Sequence, residues 1–121
     1  MTIQETIARA DAIAPNQYTF EQKMAWLGDF DGKVLHEVFQ THDTDGTYDF
    51  AGYEDADDAL LIPEPYAADI YVNYLLSRVA EANAEIPKYN LYATLMNTAY
   101  DQFAARYNRT HMPVNQGRWR F

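Results

Sequence analysis

Along residues 66–107, YAADIYVNYLLSRVAEANAEIPKYNLYATLMNTAYDQFAARY, apolar positions recur with the period of a helix. Tyr66, Ile70, Tyr74, Val79 and Ala82, with Tyr71 and Leu75 beside them, mark one such run before Pro87. Tyr89, Tyr92, Leu95, Met96, Ala99, Tyr100, Phe103 and Tyr107 mark a second run after it. Residues at three- and four-residue steps share one face of a helix, and an apolar face must be buried against something. Two helices are predicted, ending near Ala82 and Asn108. Their short connection makes them antiparallel neighbours.

The earlier chain supplies partners for this pair. Thr2 and Glu5 form a Thr-x-x-Glu capping box ahead of Ile3, Ile7, Ala10 and Ala14, predicting a short helix that stops at Pro15-Asn16. Thr19 and Gln22 repeat the signal ahead of Phe20, Met24, Leu27, Phe30, Val34, Leu35, Val38 and Phe39, predicting a helix to about Gln40. Gly32 lies inside that run and marks a close helix crossing or a local bend. Residues 41–62 break the helical period, with a turn signal at Asp45-Gly46 and a short alternating stretch, Thr47 to Phe50. Pro63 and Pro65 punctuate the start of the third helix. Beyond Asn108, RTHMPVNQGRWRF has no period and reads as an extended arm. The expected architecture is all-α: a compact four-helix bundle-like domain over 1–108, with a long acidic crossover loop at 41–62 and an extended C-terminal arm at 109–121.

Charge sharpens this picture. The 121 residues carry a net charge of −9, which argues against general affinity for nucleic acid. Residues 41–69 hold Asp43, Asp45, Asp49, Glu54, Asp55, Asp57, Asp58, Glu64 and Asp69 and no Lys or Arg. Residues 106–121 hold Arg106, Arg109, Arg118 and Arg120 and no acid. One reading is a solvated loop and a tail; the other is head-to-tail self-association through opposite charges. The ten tyrosines suit interfaces as well as a core, since each has an apolar body and a polar tip. With no cysteine, the chain has no disulfide, thiol nucleophile or thiolate metal site. The N-terminus lacks the basic and apolar regions of a signal peptide, and no apolar run is long enough to span a membrane.

Candidate chemistry is sparse. Setting Gly46 at position six of an EF-hand loop puts Asp43 and Asp45 correctly at three and five, but Thr41 at one and Gly52 at twelve. That match fails, leaving a weaker divalent site on Asp43, Asp45 and Asp49 as a minor reading. His36, His42 and His111 lack the spacing of a zinc pair. Ser77, the sole serine, lies mid-helix outside any nucleophile elbow, and the glycines match no phosphate loop. No cofactor and no catalytic residue is expected. The arm is the better candidate: in Arg118-Trp119-Arg120-Phe121 an extended backbone puts Trp119 and Phe121 on one side, and Trp and Arg are typical interface anchors, with packing onto its own helices and disorder as the other readings.

Three segments carry a family resemblance: TIQETIARADAIAPNQYTFEQKMAWLGDFDGKV, ALLIPEPY and YNLYATLMNTAYDQFAARYNRTHMP. Together they resemble small proteins encoded with head and tail genes in tailed phages and prophages of Gram-positive bacteria, similar to head–tail connectors or head-completion adaptors. The resemblance implies a helical, non-enzymatic subunit of a ring stacked under the portal, gripping neighbours with loops or termini. It implies the chain itself and portal or tail-completion proteins as partners, DNA at most passing through a channel, and a place in the virion after assembly in the host cytoplasm. An acidic channel lining would keep DNA from sticking. The interaction residues expected on this reading are Asp43, Asp45, Asp55, Asp57 and Asp58 in the acidic stretch and Arg109, Arg118, Trp119, Arg120 and Phe121 in the arm. Two other readings stand beside it: a small cytoplasmic helical protein-binding module, and a metal-dependent enzyme built on the acidic loop.

Overall fold

The computed structural model describes residues 1–34, 52–53 and 55–110. It is all-α, with four α-helices among the described residues: α1 (Ile3–Ile13), α2 (Phe20–Val34), α3 (Asn73–Ala82) and α4 (Ile86–Thr110). No helix among these residues is long and apolar enough to cross a membrane. The expected loop centre, its Thr47–Phe50 strand, the continuation of α2 beyond Val34 and the arm beyond Thr110 lie outside the described residues.

The Thr2–Glu5 capping box forms in full, and Thr19 accepts the one bond of its pair that is seen. The Glu5 backbone N–H donates to Thr2 Oγ1 at 3.2 Å and the Thr2 N–H returns to Glu5 Oε1 at 3.3 Å. Those two bonds satisfy donors that the first helical turn leaves open. The neighbouring donors are met from the far side of the crossover: Ile3 N–H reaches the Asp58 carbonyl at 3.1 Å and Gln4 N–H the Ala56 carbonyl at 3.0 Å. Thr2 also bridges antiparallel to Ala59, so the end of the acidic stretch is tied to the start of α1. In α2, the Gln22 N–H donates to Thr19 Oγ1 at 3.1 Å. Lys23, buried on α2, reaches back to Asp11 of α1 at 2.7 Å. This ion pair fixes two helices whose apolar stripes are short.

α3 is entered through a π-helical turn, Ala68–Val72. The wider turn lets Ile70, Tyr71 and Val72, three successive residues, all be buried. Asn73 Nδ2 bonds the Asp69 carbonyl at 2.7 Å within it. Periodicity alone does not announce this turn. Ala82, expected on the buried stripe, is exposed at the end of α3. The helix closes in a Schellman motif, with Glu85 N–H to the Ala80 carbonyl at 2.8 Å and Ala84 N–H to the Glu81 carbonyl at 3.1 Å. Ala84 occupies the left-handed position at φ 59°, where its β-carbon is strained. Ala84→Gly is therefore expected to stabilise the fold by about 1 kcal/mol, read as a raised midpoint in urea with unchanged slope.

The core gathers Ile3 and Ile7 of α1, Leu27 of α2, Ile62, and Ile70 and Leu75 of the third helical run. α4 packs along α3 and the π-helical turn, through Ala99, Phe103 and Tyr107 at four-residue steps. At Gly32 a β-carbon would meet nothing within 4 Å among the described residues. The close approach falls one turn earlier, where a β-carbon on Gly28 would lie 3.7 Å from the Gly52 Cα. Opposite ends of the subunit differ in character. Gln17 and Tyr18, just past α1, bond Asn83 at the α3–α4 corner at 3.1 and 2.8 Å. At the other end lie the start of α1, residues 55–62 and the end of α4, whose Phe103 ring stands 5.8 Å from that of Tyr66.

Candidate functional site

Three places in the fold bring polar or exposed groups together. The first is buried. Asp31 of α2, fully inaccessible, accepts the Tyr71 hydroxyl on Oδ1 at 2.6 Å. Its Oδ2 accepts the Tyr53 hydroxyl and the Leu61 N–H, the latter at 3.2 Å. The Ile62 N–H in turn donates to the Tyr71 hydroxyl oxygen at 2.8 Å. One carboxylate thus joins α2, the end of the crossover and the third helical run. Burial raises its pKa, and the bonds from Tyr53, Tyr71 and Leu61 offset part of that rise. Both tyrosine hydroxyls are pushed upward too, by burial first and by the Asp31 charge second. Neither is an available base or nucleophile. The arrangement is a clamp whose donors and acceptors face one another.

Outside the clamp, a cleft of about 490 Å³ runs between α2 (Met24, Gly28, Gly32) and Gly52–Tyr53. Asp29 is its one carboxylate among the described lining residues. Tyr53 lines the cleft while its hydroxyl turns to Asp31. Ser77 is buried and donates to the Tyr74 carbonyl of its own helix at 2.7 Å. No group of three or more His, Asp or Glu is placed to hold a metal among the described residues.

The third place is the outer side of α4. Leu91 and Leu95 are 54% and 46% exposed, and Ile86 at the helix start is 59% exposed. Leu95 was expected on the buried face. It sits about 40° round the helix from Ala99 and about 80° from Phe103, at 100° per residue, and so falls beside the seam with α3. Thr98, Gln102 and Arg109, all exposed, continue the line of Leu91 and Leu95 towards the C-terminal end. Lys88, ion-paired to Glu85, stands one turn before the two leucines, and Arg109 stands at the far end of the line.

Of the residues expected to make contacts, the fold places four. Asp55 and Asp57 are exposed beside the start of α1, and Arg109 is exposed in the last turn of α4. Asp58 is half-buried and turned inward on its own loop: its Oδ2 accepts the Asp55 N–H at 3.1 Å, while Asp55 Oδ1 accepts the Asp57 N–H at 3.1 Å. Asp43, Asp45, Arg118, Trp119, Arg120 and Phe121 lie outside the described residues, as do His36, His42, Asp49 and His111. The Asp31 clamp and the outer leucines were missed. The available signal for the clamp was a charged residue on the buried stripe of α2, between Leu27 and Val34. No known family, curated protein or solved structure matches the chain.

Proposed function

We propose that this chain is a non-catalytic building block of a protein assembly, of the kind its sequence resembles: a head–tail connector subunit that forms or joins a ring between portal and tail in a tailed phage. The observation supporting this reading is the exposure of Leu91 and Leu95 on α4, which no described residue covers. Neighbouring exposed leucines on a helix whose main contacts among the described residues are α3 and the π-helical turn offer apolar surface to a protein partner. The charge pattern agrees with a repeated contact, since acidic Asp55 and Asp57 and basic Arg109 sit on one subunit. The same stripe fits the alternative of a helical binding module, whose partner is a different protein.

The stripe also gives the test. Leu91→Glu with Leu95→Glu alters exposed positions, so the helix content and urea midpoint are expected to stay near those of the parent. Self-association, followed by sedimentation over a concentration series, is expected to be lost. Self-association unchanged by the double substitution would remove the stripe from the assembly. A parent that binds a foreign protein through the stripe and never itself would favour the binding module.

A further inference from the structure

The groove that receives α4 on each subunit is complementary to a helix that every copy carries. Among the described residues α3 and the π-helical turn are the main contacts of α4, and Phe30 of α2 adds a ring 6.0 Å from Tyr100. Ala99, Phe103 and Tyr107 are buried in that seam. A second copy offers the same groove and the same helix. Which groove α4 fills therefore depends on the three residues that join it to α3, Asn83, Ala84 and Glu85.

That corner holds two opposed features. Asn83 is anchored, its Oδ1 accepting from Gln17 Nε2 at 3.1 Å and from the Tyr18 hydroxyl at 2.8 Å. The turn in the chain falls just beyond it, on Ala84 at φ 59°, a left-handed conformation that a β-carbon disfavours. Opening the corner into helix removes that strain, and alanine and glutamate both favour helix. Pro87 acts the other way. At the second position of α4 its missing N–H has no intrahelical partner to lose. In a helix continued from α3, the same nitrogen would leave the Asn83 carbonyl without a donor, and the ring would crowd that carbonyl. A short connection under strain is the setting in which an element changes places between copies.

We infer that the α3–α4 corner is an exchange hinge: when it opens, α4 of one copy fills the groove of a second, whose own α4 fills the first. Reciprocal exchange closes a two-fold dimer. The seam keeps its contacts and the corner alone changes, so Ala84 favours the exchanged form and Pro87 the closed one. Leu91 and Leu95 keep their outward side in either form, so the hinge is independent of the surface proposed above. To leave its groove α4 gives up the burial of Phe103 and Tyr107. Exchange therefore passes through the unfolded chain, and its product is trapped once folded.

The test uses the full chain with Leu91→Glu and Leu95→Glu, which silences the surface contact. The protein is unfolded in urea, refolded over a wide range of concentrations, diluted and sized. A dimer of native helix content is expected, rising with the refolding concentration and surviving dilution. Two forms of different mass should give a hybrid when refolded together and none when mixed after folding. Pro87→Ala should raise the ratio of dimer to monomer more than about tenfold, because both hinges lose the ring. Ala84→Gly should lower it about tenfold, because glycine relaxes the closed corner and weakens the opened helix in both copies. A trapped dimer in none of the three chains would overturn the hinge. So would one equally abundant in all three, or at least as abundant in Ala84→Gly as in its parent. Hybrids that form on mixing folded chains would mark a surface contact and overturn it too.

Discussion

Asp31→Leu is expected to destabilise the fold by about 4 kcal/mol, a large fraction of the 5–15 kcal/mol that holds a typical domain. The substitution leaves the Tyr71 hydroxyl and the Leu61 N–H without their acceptor in a dry interior, and each such donor costs about 1–3 kcal/mol. Tyr53 is half-buried, so its hydroxyl can turn to water and adds less. Pairing the change with Tyr71→Phe should recover part of the loss, because removing both partners is milder than orphaning one. If the double variant is less stable than the single one by the full cost of Tyr71→Phe alone, the two groups are not coupled. The pH dependence follows from the same geometry. The folded pKa of Asp31 is raised above its ordinary 3.8, so the folded state holds the proton more tightly than the unfolded chain does. The stability Asp31 contributes is therefore fully present below 3.8 and lost as the pH rises through the raised folded value. The cost of Asp31→Leu should accordingly grow as the pH falls from neutral towards 4. The neutral acid keeps its bonds, since it can donate to the Tyr53 oxygen while that hydroxyl turns outward. A cost that shrinks on acidification would mean that the three donors outweigh burial.

The second large effect is on the seam that holds α4. Phe103→Ala is expected to cost about 4 kcal/mol, in the range for removing a buried aromatic ring. Phe103 is 3% exposed, and its ring stands 5.8 Å from Tyr66, 6.3 Å from Tyr100 and 5.9 Å from Tyr107. Among the described residues α3 and the π-helical turn are the main contacts of α4, so the cavity falls in the seam that holds the helix. Leu91→Ala in the same helix should change stability by less than about 0.5 kcal/mol, since Leu91 is mostly exposed. Urea unfolding of the two variants beside the parent separates them. Equal losses would place Leu91 in the packed seam and remove it from the proposed contact surface.

Much of this fold follows from local rules. The Thr2–Glu5 and Thr19 caps act within one turn of chain, so the starts of α1 and α2 are readable from a few residues. The Tyr66–Tyr107 period places α3 and α4, because a stripe of rings at helical spacing has one way to be buried. The π-helical turn at Ala68–Val72 is not readable in this way: it resolves a competition in which Ile70, Tyr71 and Val72 all seek the core. The Asp31 clamp joins residues 22, 30 and 40 positions apart, and the Lys23–Asp11 pair joins two helices. Such bonds depend on tertiary placement and leave only a faint local mark, a charge on an apolar stripe. Leu95 misled for a related reason. In α4 apolar residues occupy more than one face, and only packing against α3 decides which ring of positions is the seam. At the surface, Asp55, Asp57 and Arg109 were legible as exposed charges.

The central claim is that this subunit builds assemblies through the outer side of α4. Its most direct measurement is native mass with particle imaging over a concentration series at modest salt, on the parent and on the Leu91→Glu, Leu95→Glu variant. The account predicts species above the 14.0 kDa monomer for the parent, loosening as salt rises, and a monomeric variant with intact helix content. A parent that stays at 14.0 kDa at every concentration, indistinguishable from the variant, would contradict it.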